Sequence, residues 1–125
     1  MKFKAIVLGL NDDIEEEVLL QIGEWKILCF AGVCPYPIYV GHDYVVNLSL
    51  VVLNDYVVSE CTSGPQPVIE NNGKGFVTHL IGKLLGSRLI IGDIGFEDEI
   101  FLRDYGYLNG KFVSIQVDRI SAEFL

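Results

Sequence analysis

The sequence contains almost no alanine, three residues in 125, and a single methionine, so the best helix formers are scarce. A coiled coil or a bundle of long helices is thereby excluded. Basic residues are also few, nine Lys and Arg against 17 Asp and Glu, which leaves a formal net charge of -8. Such a surface repels phosphate backbones, so the composition disfavours nucleic acid and favours a basic protein as partner. No apolar run approaches the roughly 18 residues that cross a bilayer as a helix. Cysteine is sparse and odd in number, with Cys29, Cys34 and Cys61 as the full set, which excludes a disulfide-stapled miniprotein and points to a reducing, cytoplasmic setting. Lys2 and Lys4 precede a short apolar stretch, but Asn11, Asp12 and Asp13 follow where a secretion signal would need small residues.

What the chain does have is Val and Ile, 27 residues together, within a composition that is 50% hydrophobic. These β-branched residues fit pleated, half-buried surfaces, and a chain of this length suffices for one core. Alternation of apolar and polar residues recurs in short segments separated by turn chemistry. Phe3, Ala5 and Val7 oppose Lys2 and Lys4; Tyr44, Val46, Leu48 and Leu50 oppose Val45, Asn47 and Ser49. Gly23-Glu24 separates two such runs and suits a two-residue hairpin, since Gly accepts the positive φ required there. Asn54-Asp55 is read as the turn leading from the Tyr44 run into residues 56–60. The expectation is a single all-β domain over residues 1–125, a small closed barrel or two packed antiparallel sheets with about eight to ten short strands.

The two halves share a grammar, suggesting an internal repeat of residues 2–60 and 75–124 joined by a loop at 61–74. The run from Phe3 to Gly9 matches the run from Phe76 to Gly82 at an offset of 76 − 3 = 73. Gly23-Glu24 has Gly92-Asp93 as counterpart, with a second register that pairs Trp25 with Phe96. Gly41 matches Gly110 at 110 − 41 = 69. This strand, turn and glycine grammar resembles an oligonucleotide/oligosaccharide-binding (OB) barrel, with Gly9 or Gly82 where a long first strand would bend. The resemblance implies a helix after the third strand, yet residues 32–41 show no helical pattern, and Gly82 and Gly86 interrupt the apolar stretch 80–89.

Chemistry-bearing motifs are few. Cys29, Cys34, His42 and Cys61 contain the atoms of a tetrahedral metal set but no Cys-x-x-Cys knuckle, so no metal or other cofactor is expected. Cys34 has no evident base, His79 in its apolar run reads as half-buried and hydrogen-bonded, and no motif organises an enzyme. The glycines around Lys74 and Lys83 lack the order of a phosphate-binding loop. Charge supplies the working expectation. The first 62 residues carry 3 basic and 9 acidic side chains, a net of -6, against 6 and 8, a net of -2, in the remainder. Asp12, Asp13, Glu15, Glu16 and Glu17 form the densest acidic run. The Cys34-Pro35-Tyr36-Pro37 segment holds Tyr36 and Tyr39 on a stiff loop, and Tyr56 adds a third candidate contact. These eight acidic and tyrosine residues are the expected partner-binding set of a non-enzymatic inhibitor or immunity-type module. The runner-up is single-strand nucleic-acid binding through Lys74, Lys83, Arg88, Arg103, Lys111 and Arg119, provided they converge. Exposed strand edges could also pair two copies of the chain.

Overall fold

The computed structural model describes residues 1–62 and 66–125. In chain order the strands are β1 (Lys2–Leu10), β2 (Glu17–Ile22), β3 (Trp25–Val33), β4 (Asp43–Val51), β5 (Val58–Glu60), β6 (Val68–Asn71), β7 (Thr78–Leu85), β8 (Arg88–Ile91), β9 (Ile94–Glu97), β10 (Phe112–Val117) and β11 (Arg119–Phe124). A short helix α1 (Glu99–Arg103) and a 3-10 turn (Gly106–Leu108) separate β9 from β10. The fold is all-β, as the composition predicts. Its strands number eleven among the described residues, one above the expected range, and β6 lies where the sequence reads as loop.

Five strands close into a barrel in the order β1-β2-β3-β11-β4, with β4 returning to β1. Its β3–β11 seam is parallel, and the other four are antiparallel. The remaining six form a second sheet, ordered β5-β10-β7-β8-β9, with β6 alongside the first half of β7. Period-two patterning decides what faces inward. In the barrel these are Ala5, Val7, Val18, Leu20, Ile22, Ile27, Cys29, Val46 and Leu48, together with Ile120, Ala122 and Phe124 of β11; in the second sheet they include Leu80, Leu84, Leu89, Ile91, Phe96, Val113 and Ile115. The β1–β2 register slips between Val7 and Gly9, so the bend expected at Gly9 is present. Gly82 plays a different part: a Cβ there would stand 2.5 Å from the Ile90 carbonyl oxygen, so glycine permits close strand packing.

Several expectations are corrected. The turn at Asn54-Asp55 makes no hairpin, because β5 leaves β4 and pairs with β10. The segment 61–74 is not wholly loop, since β6 lies within it. Residues 80–89 form the β7–β8 hairpin, turning at Gly86, whose φ is 63. The two β-hairpin glycines do correspond: Gly23 has φ 58 between the paired Ile22 and Trp25, and Gly92 has φ 61 between the paired Ile91 and Ile94. Trp25 therefore answers to Ile94, not to Phe96. The Gly41 and Gly110 amides donate to Val7 O at 2.8 Å and Leu84 O at 2.7 Å, so Val7 answers to Leu84. That offset is 84 − 7 = 77, four residues from the register read off the sequence. Hydrophobic alternation repeats every two residues, so slips of two or four leave the pattern intact and only pairing resolves them.

Candidate functional site

The turn between β1 and β2 is built by Asn11. Its side-chain oxygen accepts from the Asp13 N–H at 2.8 Å and the Ile14 N–H at 3.2 Å, and its amide donates to Glu17 Oε2 at 2.8 Å. This local ring of bonds turns the chain over and leaves Asp12, Asp13, Glu15 and Glu16 exposed, while Glu17 is half-buried. None of these five carboxylates takes part in an ion pair among the described residues; the pairs present are Lys4–Asp43, Arg103–Asp104 and Lys111–Glu60.

Across from this turn runs the proline-rich segment after β3. The two prolines restrict its backbone, the chain bends at Tyr36 between them, and Tyr36 pins it by donating from its hydroxyl to Leu125 O at 2.8 Å. The Tyr36 ring stacks on Tyr44, with centroids 5.8 Å apart, and Tyr44 in turn meets Phe124 edge-on. Burial against these neighbours, with Cys34 and Tyr44 close by, raises the Tyr36 phenol above its ordinary pKa. Cys34 is exposed and donates to Tyr36 O at 3.2 Å.

Between the two segments lies a cleft of about 470 Å³. Asp12, Glu15 and Glu16 line it on one side and Cys34, Tyr36 and Pro37 on the other, over Leu10, Val18, Ala31 and Ile38. The arrangement offers carboxylate acceptors above an apolar floor, a combination suited to the aliphatic stem and charged head of a lysine or arginine. The corresponding region of the second sheet is filled instead. There the chain between β9 and β10 forms α1 and the 3-10 turn, and Phe101 and Leu108 are buried against the core. Asp98 starts α1 by accepting from the Ile100 N–H at 3.1 Å.

The structure thus brings together Asp12, Glu15, Glu16 and Tyr36 and keeps other expected contacts apart. Tyr39 is exposed beside His42, its backbone amide bonded to the Tyr44 hydroxyl at 2.8 Å. Tyr56 lies in the connection before β5, where it donates to Asp98 Oδ2 at 2.8 Å, packs edge-on against Phe101 and accepts at its backbone carbonyl from the Tyr105 hydroxyl at 2.6 Å. Burial, and then the neighbouring Asp98 carboxylate, push the Tyr56 phenol well above its ordinary value. Cys29 is in the barrel core, where burial pushes its thiol up to about 12, whereas the cleft-lining Cys34 is exposed. His79 is half-buried, with Nε2 2.6 Å from Ser114 Oγ. Of the six basic residues, Arg103 and Lys111 are ion-paired, and Arg119 lies on the barrel with its guanidinium 4.1 Å from the Phe30 ring centroid. The apolar floor was missed because Leu10 and Ala31 read as ordinary strand residues. Only folding places them beneath the acidic turn.

The chain matches, over residues 1–125, the model of the family described as Uncharacterised conserved protein UCP019853, and it belongs to that family. No curated protein and no solved structure matches it.

Proposed function

We propose that this protein is a non-enzymatic, cytoplasmic binding module whose acidic cleft grips a basic protein segment, as an inhibitor or immunity-type protein would. The observation that carries this reading is the cleft itself, with three carboxylates that form no ion pair among the described residues facing a pinned tyrosine over apolar residues. A lysine or arginine inserted there would place its methylenes on Leu10 and Ile38 and its charge among Asp12, Glu15 and Glu16. Opposite charge on the two partners would also speed their encounter and make it sensitive to salt. The same carboxylates disfavour phosphate, which places the nucleic-acid reading second.

The test is capture from the host lysate at low salt, followed by titration of the captured protein. A basic partner is expected, with affinity falling as salt rises and falling at least about tenfold when Asp12, Asp13, Glu15, Glu16 and Glu17 are replaced together by their amides, the loss of a single good charged contact. Unchanged affinity in that variant defeats the proposal. Retention of labelled single strands by the wild-type protein, with no protein captured, would establish the alternative.

A further inference from the structure

The two sheets are built on one plan. In the barrel, β1 lies between β2 and β4; in the second sheet, β7 lies between β8 and β10. The β2–β3 and β8–β9 hairpins turn on Gly23 and Gly92, 69 positions apart. Gly41 and Gly110, again 69 apart and with φ 88 and 81, each enter the fourth strand of their unit. A matched pair of bonds repeats there. The Val7 N–H donates to His42 O at 3.0 Å and the Gly41 N–H to Val7 O at 2.8 Å; the Leu84 N–H donates to Lys111 O at 3.0 Å and the Gly110 N–H to Leu84 O at 2.7 Å.

The fifth strand departs from this plan in a particular way. The strand after β4 is β5, yet it pairs antiparallel with β10, Ser59 opposite Ser114. The strand after β10 is β11, yet it pairs antiparallel with β4 along Arg119–Phe124 and completes the barrel against β3. We infer that the chain is two copies of one five-strand unit whose fifth strands have changed places, so that the two halves form one intertwined pair. This goes beyond the binding role of the cleft and does not depend on it. Each half is the other's partner, with the flank of β10 and the space between β3 and β4 as the two receiving surfaces. Ile120, Ala122 and Phe124 of the second half are buried in the core of the first.

Two experiments on the full chain test this. A protease site is inserted in the exposed turn 72–75, between β6 and β7, and the folded protein is cleaved. The severed halves are expected to elute together at the position of the intact chain and to separate only in denaturant. Separation under native conditions overturns the inference. Simple packing without exchange would also hold the halves together, so the second experiment reads the pairing itself. The Cys61 N–H donates to Phe112 O at 2.8 Å, so the two residues face each other across the exchanged strand at a separation that a disulfide spans. In a Cys34→Ser background, Phe112→Cys is oxidised before cleavage. A single band on a non-reducing denaturing gel that becomes two on reduction is the expected result. Two bands without reduction place β5 away from β10 and overturn the exchange. If Phe112→Cys lowers the yield of folded protein, Ser59→Cys with Ser114→Cys, opposite each other in the same ladder, is oxidised in its place in a Cys61→Ser background and is judged by the same bands.

Discussion

Replacing Tyr56 by Phe removes one oxygen and leaves the ring against Phe101. The lost bond is the 2.8 Å contact to Asp98 Oδ2, partly buried and made to a carboxylate that also caps α1. Bonds to charged groups contribute about 1.5–3 kcal/mol, and partial exposure places this one at the low end, about 1.5 kcal/mol. Unfolding entropy near about 2.1 cal/mol/K per residue gives about 0.26 kcal/mol/K for a chain of this size, so Tm falls by about 6 °C at neutral pH. The alkaline limb supplies a sharper test. The folded-state pKa of Tyr56 is raised above its ordinary value of 10.0 by burial and by Asp98, so its contribution is complete below pH 10 and is lost as pH rises toward the folded value. Between those limits the unfolded wild type ionises at this position while the native state does not, and stability drops by about 1.4 kcal/mol per pH unit. Phe has no such loss, and every other alkaline group is common to both proteins. Tyr56 is only half-buried and solvent screens part of this effect, so the gap of about 1.5 kcal/mol at pH 8 should narrow by roughly half or more by pH 11. Urea titrations of both proteins from pH 8 to 11 measure it. A gap that stays constant over that range would refute the assignment of a protonated, carboxylate-bonded Tyr56.

Gly82→Ala should cost about 1–3 kcal/mol, read as a lower urea midpoint. The added Cβ would stand 2.5 Å from Ile90 O and 2.7 Å from Ile91 Cγ1, and neutral behaviour would show that β7 and β8 are less closely packed than described. Phe101→Ala, at a position with no exposure, should cost about 3–5 kcal/mol by leaving a cavity under α1. A loss below about 1 kcal/mol, the range of ordinary surface substitutions, would contradict its burial. Thiol titration should find Cys34 immediately reactive in the folded protein and Cys29 reactive only on unfolding, because Cys29 is fully buried with its thiol pushed up to about 12. Prompt modification of Cys29 in buffer would place it outside the barrel core.

Much of the architecture is legible locally. The Gly23-Glu24 hairpin, the alternation of Tyr44, Val46, Leu48 and Leu50, and the bend at Gly9 are each stated by a few consecutive residues, and each is present. The acidic turn is legible too, since Asn11 folds it through bonds spanning two or three residues. Helix α1 escapes notice because five residues contain too little of a helical period, and its stability comes from the Asp98 cap and the burial of Phe101.

By itself, then, the sequence determined an all-β chain, an acidic first half, and the hairpin turns at Gly23 and Gly92, because those properties depend on residue type and on neighbours along the chain. Tertiary structure alone decided that Tyr36 faces Glu15 and Glu16 across a cleft while Tyr56 braces α1, and that β5 and β11 cross to opposite sheets. A strand's alternation specifies which side chains turn inward, but it carries no record of which neighbour supplies its hydrogen-bond partners. That choice is made only when the competing pairings are weighed against the burial of the whole core.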